Sequence, residues 1–457
     1  EEDQSADMGK ILSGILGIQV GTKDPNLFTA SVVVINGSSD TNSKEVYKGN
    51  DVTFTITPND GYTLENASIS CSNGTISNNL LTISNVQSDI TCTITLGEDS
   101  PYKKGTLAYQ ILQDNPNVST RTDFSVVNTE TTTGTIYVQS STSTKQMTED
   151  TDGDGIGEDT YYFSGNHEKN WVKFGGFYWR IIRTNEDGSV RMLYSGTSTS
   201  TRNLYTTTSA YNPTTPKFAV GYMYKTSNSG VDNSNSSKIK RTIDTWYENN
   251  LLTNYDKYIS KTAIYCNDRS TNDSSTSSSE SITYASNYRL QNKTPSYKCN
   301  SNGFGGIIGG TQDINDKFSV STTSGGNGNL TYPIALITAD ELAYAGGVRF
   351  SKFTTKPYPW FYSNSSGDFA VYSSLWFTMS PFYYFGNTDT ATMFVIESAK
   401  SNSGKFTRDD GCNYSDVEGA VRPVISLKAC VKYSSGDGSS SNPYQITIDS
   451  TCESNEN

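Results

Sequence analysis

Residues 175–194 read GGFYWRIIRTNEDGSVRMLY. Two apolar and aromatic runs, Gly175–Ile182 and Ser189–Tyr194, flank Asn185-Glu186-Asp187-Gly188, a strong turn signal. The stretch therefore predicts a β-hairpin. Downstream, Lys238–Leu252 has helical periodicity, with Ile239, Ile243, Trp246 and Tyr247 on one face. A second helix is expected over Ala339–Tyr344. Thr338 can cap it, Glu341 completes a Thr-x-x-Glu capping box, and Gly346-Gly347 stops it. Strands are expected again at Leu375–Met379, Thr392–Glu397, Gly404–Thr407 and Val424–Leu427. Residues 161–457 thus read as one α+β domain. Long polar stretches interrupt it at Ser195–Pro216, Ser227–Ser237, Asn267–Thr283 and Gly309–Gly328, and stretches of that length mark functional or mobile loops.

Upstream, residues 29–97 form a separate small β domain. Val52-Thr53-Phe54-Thr55-Ile56-Thr57 alternates strictly, placing Val52, Phe54 and Ile56 on one face. Further strands are expected at Ala30–Ile35, Ala67–Ser70, Leu80–Ser84 and Thr91–Leu96, separated by turn signals such as Pro58-Asn59-Asp60-Gly61. Residues 98–160 read as a Thr/Ser-rich connector carrying a short helix at Lys104–Asp114. Residues 1–28 are an acidic N-terminal segment or linker with a weak helix over Asp7–Ile18.

The composition sharpens the class. The 457 residues carry 35 Lys+Arg, 47 Asp+Glu and one His, a net charge of −12, with a pI near 4.7. Such an acidic balance excludes a nucleic-acid partner, which would need a basic face. A single His excludes His-rich metal centres and makes a His-based triad a poor reading. Only 18% of residues are charged while mean hydropathy is −0.54, so the polarity comes from Ser, Thr, Asn and Gly. No apolar run reaches the length of a membrane span. The chain starts at Glu1, so a leader is expected to be absent already.

Seven cysteines occur without a C-x-x-C pair. The local pairs Cys71–Cys92, Cys266–Cys299 and Cys430–Cys452 suit disulfides, closing loops of about 20–35 residues worth roughly 3 kcal/mol each. Cys412 is left over. Reduced thiols in a cytosolic protein are the alternative, but the low charge and hydroxyl-rich surface favour an extracellular site.

Asp150-Thr-Asp152-Gly-Asp154-Gly-Ile156-Gly-Glu158-Asp159 ends the connector. Oxygen ligands at alternate positions suit Ca²⁺, with Asp150, Asp152 and Asp154 ligating by side chain, Ile156 by its carbonyl, and Glu158 or Asp159 closing the shell. Tyr161 stands where an EF-hand loop carries its bidentate Glu, so the loop resembles the calcium loops of extracellular repeat proteins. The expected role is structural. A solvated acidic turn is the alternative.

Residues 29–97, with "VYKGNDVTFTITPNDGYTLENASISCSNG" and "ISNVQSDITCTITL", resemble a bacterial immunoglobulin-like repeat, a spacer in cell-surface proteins. From about Thr160 to Ile446, segments including "NWVKFGGFYWRIIRTNEDGSVRMLYSG", "IKRTIDTWYENNL", "YPIALITADELAYAGG", "LWFTMSPFYYF" and "GAVRPVISLKACVKYSSGDGSSSNPYQI" look like an extracellular domain of Firmicutes and Tenericutes surface proteins. That domain is similar, through "TADELAY" and "GAVRPV", to the formylglycine-generating-enzyme-like branch of the C-type lectin fold. The resemblance implies a multi-domain, mainly β protein: an Ig-like β-sandwich followed by an α+β C-type-lectin-like domain with long loops.

Catalysis finds little purchase in these residues. The copper-binding cysteine pair of the formylglycine-generating branch is not matched, since only Cys412 precedes the closing strand. Among the acids, Asp340, Glu341, Asp409, Asp410 and Asp416 are the nearest to a glycosidase pair, yet Asp340 and Glu341 are explained as helix N-terminal acids. His167 reads as a surface residue, and Arg422 as the centre of a buried ion pair or of backbone hydrogen bonds. The densest aromatic stretch is Pro357–Gly386. Rings among Ser, Asn and Gly suit a contact surface, and Trp360, Tyr362, Trp376, Tyr383 and Tyr384 are the candidate ligand-binding residues, Trp360, Tyr362, Tyr383 and Tyr384 being expected exposed. Core packing of the same rings is the alternative. The resulting expectation is a non-catalytic bacterial surface adhesin that binds an extracellular glycan or protein receptor. A self-assembling pilus or surface-layer subunit, and a phage receptor-binding protein with a retroelement-diversified site, are the other readings.

Overall fold

The computed structural model describes residues 24–454 apart from 60–61, 72, 99–100, 132, 200–203, 214–220, 225–232, 272–280, 300–313, 354–355, 364–374, 398–403 and 409–417. The expected helix at 7–18, together with Cys412, Asp409, Asp410 and Asp416, lies outside the described residues. With 39% strand and 13% helix the protein is mainly β. It divides into two compact units, Glu1–Ser100 and Pro101–Asn457. Among the described residues no helix is long and apolar enough to cross a membrane.

The smaller unit follows from alternation. Val52, Phe54 and Ile56 are buried while Thr53, Thr55 and Thr57 are exposed, as a half-buried strand requires. One four-stranded sheet runs in the order Ser43–Tyr47, Leu27–Ile35, Ile90–Glu98, Tyr62–Ile69. The other runs Gly37–Ser39, Val52–Pro58, Leu80–Ile83, Gly74–Ser77. Their inner faces share one core that includes Ala30, Val32, Phe54, Ile56, Leu81, Ile83, Ile94 and Leu96. Burying a ring such as Phe54 contributes about 2–3 kcal/mol. The Cys71–Cys92 disulfide ties the residues just after Tyr62–Ile69 to the adjacent strand Ile90–Glu98, so it lies within one sheet rather than across the two.

The larger unit is built on the hairpin. Phe177–Thr184 pairs antiparallel with Val190–Tyr194 around the turn at Asn185–Gly188. Gly188 has φ +79°, and a Cβ there would meet the Pro101 carbonyl oxygen at 2.5 Å, so only glycine fits. The hairpin sits inside an eight-stranded sheet ordered Ala335–Leu336, Pro423–Leu427, Val190–Tyr194, Phe177–Thr184, Thr160–Tyr162, Thr135–Gln139, Asn117–Ser119, with Trp171–Phe174 paired to Phe177–Thr184. A six-stranded sheet runs Thr207–Ala210, Glu418–Val421, Leu375–Phe385, Thr390–Glu397, Phe406–Arg408, with Ile282–Thr283 paired to Leu375–Phe385. The chain passes from one sheet to the other at Arg422. Its buried guanidinium donates to the carbonyls of Tyr194 and Phe361 and stacks on Trp376, which secures the crossover and bears out the expected backbone hydrogen bonds. The helix Lys238–Asn250 buries Ile239, Ile243 and Tyr247 against the shared core.

Two expectations are corrected here. Residues 101–160 are no connector: the helix Leu107–Asp114 buries Leu107, Ala108 and Ile111 in the core of the larger unit, and 117–119 and 135–139 extend its main sheet. Their Ser/Thr-rich composition hid short strands whose register is supplied by neighbouring strands. His167 is also no surface residue. It is 2% exposed, packs on Phe163, and accepts a hydrogen bond at Nδ1 from the Lys169 N–H.

Burial, and then the nearby Arg180 charge, push the His167 pKa down from 6.5 to about 4. A folded-state value below the unfolded one gives stability that is complete above pH 6.5 and is lost as pH falls toward 4. All five Trp lie in the larger unit, so tryptophan fluorescence follows that unit alone. Between pH 7 and pH 5 the wild type is expected to lose roughly 2 kcal/mol that a His167→Gln variant does not. Equal pH slopes for the two proteins in urea unfolding followed by fluorescence would refute this.

Candidate functional site

Arg183 and Arg191 lie directly opposite each other across the hairpin. Like charges in that position repel, and both guanidiniums are buried. The compensating charge comes from far along the chain. Thr338 caps the helix Ala339–Tyr344 by accepting from the Glu341 N–H at 3.0 Å, while Glu341 Oε2 accepts from the Thr338 N–H at 2.9 Å. The other oxygen, Oε1, accepts from Arg191 Nη1 at 2.8 Å and from Arg183 Nε at 3.4 Å. Burial alone would raise the Glu341 pKa, but the two guanidiniums and the Thr338 N–H hold it below the usual carboxylate value. Arg183 also reaches Glu186 at 3.2 Å, and Arg191 donates to the Ile264 carbonyl.

A second cluster adjoins the first. Arg289 forms a bidentate pair with Asp340 at 2.9 and 2.8 Å and reaches Asp268 at 2.6 Å. Glu149 accepts from Lys317 and from the Cys299 N–H, each at 2.7 Å. The Cys266–Cys299 disulfide clips the segment around 262–268 to the one around 289–299. Together these groups line a cavity of about 760 Å³ in the larger unit, within the roughly 300–1,000 Å³ typical of ligand sites. Asp150, Thr151, Ser296, Tyr297, Lys298, Ser324 and Cys430 are also on its wall.

The expected aromatic contact patch is not exposed. Trp376 is fully buried, Tyr384 is 1% exposed, Tyr362 4% and Trp360 6%; only Tyr383 is half-buried. Trp360 Nε1 donates to the Phe163 carbonyl, Tyr362 packs on Phe353, and the Tyr384 hydroxyl donates to Asp389. For Trp376, Tyr383 and Tyr384 the physical reason is position. Leu375–Phe385 is an inner strand of the six-stranded sheet and is buried on both faces, so alternation leaves no exposed side.

Of the expected calcium ligands, Asp150, Asp152 and Glu158 each offer an oxygen within 4.8 Å of one another, whereas Asp154 and Asp159 fall outside this group. Glu158 accepts from the N–H groups of Thr151 and Asp152, and Asp150 from those of Gly153 and Gly155. Three carboxylates converging on one point fit a hard cation by donor chemistry. Asp150 is shared between this loop and the cavity wall.

Sequence reasoning missed Arg183, Arg191, Arg289 and Asp268 as a site. The one available signal was the basic residues inside otherwise apolar strands, Arg180, Arg183 and Arg191, since a buried guanidinium demands a partner. The capping box identified Glu341 but not its second task. No known protein family, characterised protein or solved structure matches this chain.

Replacing Glu341 by Gln keeps the shape, removes the carboxylate that pairs with buried Arg191, and leaves Arg183 with Glu186 alone. Urea unfolding followed by tryptophan fluorescence is expected to show a loss of about 3–5 kcal/mol. A loss below about 1 kcal/mol, the scale of an exposed pair, would show that the pair is not the support described.

Proposed function

We propose that this is an extracellular, non-catalytic ligand-binding protein of a bacterial surface. In this reading it is an adhesin whose smaller unit is an immunoglobulin-like spacer and whose larger unit is a C-type-lectin-like binding domain. The observation that carries the reading is the cavity of about 760 Å³, in which the carboxylates are engaged rather than poised. Glu341 is kept ionised by two guanidiniums, and Asp340 and Asp268 spend oxygens on Arg289. A general acid would need a carboxyl held protonated by its surroundings. Three disulfides support an oxidising compartment. The partner is an extracellular glycan or a protein receptor. Incubating labelled protein with whole cells, mucins and immobilised glycans is expected to give saturable binding without turnover; absence of binding to all three would overturn the reading.

The acidic loop takes Ca²⁺ as a brace, with Asp150, Asp152 and Glu158 supplying carboxylate oxygens and the metal offsetting their mutual repulsion. At a Ca²⁺ concentration near 100 times its dissociation constant, the linkage stabilises the fold by about 2.7 kcal/mol. The expected result is a rise in melting temperature with Ca²⁺ that disappears in Asp150→Ala/Asp152→Ala. No rise in the parent protein would remove the metal from the proposal.

A further inference from the structure

Building on the ligand-binding reading, we infer that the cavity of the larger unit takes an uncharged, hydroxyl-rich ligand, a neutral saccharide, rather than an aromatic or charged one.

The first ground is the state of the only aromatic residue on the described wall, Tyr297. Tyr344 stacks on it with ring centroids 4.0 Å apart and planes 22° apart, and the Arg183 guanidinium carbon sits 4.4 Å from its centroid. Two groups that close cannot share one face, so both faces are taken. The other apolar side chains on the described wall, Ala263, Ile264 and Ala429 beside the cysteines, include no ring. An aromatic ligand therefore finds no open ring to stack on, and the directional part of recognition falls to hydrogen bonds.

The second ground is charge. Arg183, Arg191, Arg289 and Lys317 each have a carboxylate within 3.4 Å. A charged ligand group would have to displace a fixed pair or be desolvated without a counter-charge, and either is costly. Among the described residues half-buried Lys298 is the exception, but the described wall carries seven carboxylates against five cations, which disfavours an anion. Of the excess acids, Asp150 belongs to the proposed calcium loop, and Asp187 accepts from the Ser189 N–H and hydroxyl within its own turn.

The third ground is complementarity. An ionised carboxylate has about four acceptor sites; Asp340 accepts twice from Arg289 and once from the Ser296 N–H, and Asp268 accepts from Arg289 and from the Ser270 N–H and hydroxyl, so each keeps about one lone pair. Ser324 and Thr262 add hydroxyls that both donate and accept, and the Ser296 hydroxyl, which donates to the Met147 carbonyl and accepts from the Lys298 N–H, keeps one acceptor site. A sugar hydroxyl likewise donates and accepts at once, and it can bridge from a carboxylate on one pair to a donor on the next without altering the net charge.

The test uses the full chain in calorimetric titrations with neutral oligosaccharides of glucose, galactose, mannose and N-acetylglucosamine, together with sialylated, uronic-acid and glucosamine oligosaccharides. Ser324 lies at the exposed rim and makes only one described hydrogen bond, to the Thr262 carbonyl, so Ser324→Trp fills the mouth without touching an ion pair. The expected result is binding of at least one neutral oligosaccharide, weakened about tenfold or more in Ser324→Trp at unchanged melting temperature. Binding confined to charged saccharides, or to none, overturns the inference. Neutral binding that Ser324→Trp leaves intact places the site elsewhere and also overturns it. In each of these cases the surface-binding reading is judged separately, by the cell and mucin assays.

Discussion

The Glu341 carboxylate between Arg183 and Arg191 is the interaction on which the larger unit rests. A hairpin with guanidiniums at directly opposed positions cannot be buried by hydrophobic contact alone, because each charge loses its water and gains a like neighbour. The Glu341 carboxylate bridges both guanidiniums, with Glu186 also paired to Arg183, and it does so from the first turn of a helix it simultaneously caps. The strand Ala335–Leu336, the helix that follows and the central hairpin are thereby locked to one another. The same arrangement sets the floor of the cavity. Its charges are fixed in pairs before any ligand arrives, so the floor offers directional hydrogen-bonding groups with little net charge to satisfy.

A chain with mean hydropathy of −0.54 still builds a large core, and tyrosine explains how. Of the thirty Tyr residues, many of the described ones supply buried area, and the hydroxyls of several serve the irregular backbone that long polar segments create. Tyr222, Tyr265 and Tyr344 donate to the carbonyls of Ile334, Pro333 and Pro295, none of which lies in a strand. Phenylalanine at these positions would leave those acceptors buried and unpaired. The aromatic excess that suggests a contact surface is thus spent on holding non-repetitive segments against two sheets. Arginine acts in parallel: Arg422 pins the crossover between sheets, and Arg180 stacks on Trp171 and Trp360.

Local patterns proved readable wherever the deciding interaction was itself local. Val52–Thr57, the turn at Asn185–Gly188, the helix at Lys238–Asn250, the Thr338 capping box and the three near-neighbour cysteine pairs all depend on residues close in sequence. The aromatic run around Leu375–Phe385 misled because alternation reports burial only when one face of a sheet meets water, and this strand is covered on both. Residues 117–119 carry almost no strand signal of their own, whereas Thr135–Gln139 carries one in Ile136, Tyr137 and Val138 but is short and set in Ser/Thr-rich sequence; the two pair with each other, and the second also with Thr160–Tyr162. His167 looked solvated among polar neighbours, yet Phe163 and Arg180 enclose it.

By itself the sequence determined a mainly β chain in two parts, its helix caps, its turns and its disulfide partners, because these follow from periodicity and short-range chemistry. Tertiary structure alone decided where the charges meet. Glu341 stands 150 residues from Arg191, and Asp340 stands 51 from Arg289. Nothing in the local pattern of either partner records that distance. Burial compels each guanidinium to find a carboxylate, but only the packing of sheet, helix and disulfide-clipped segments selects which one, and with it the shape and chemistry of the cavity.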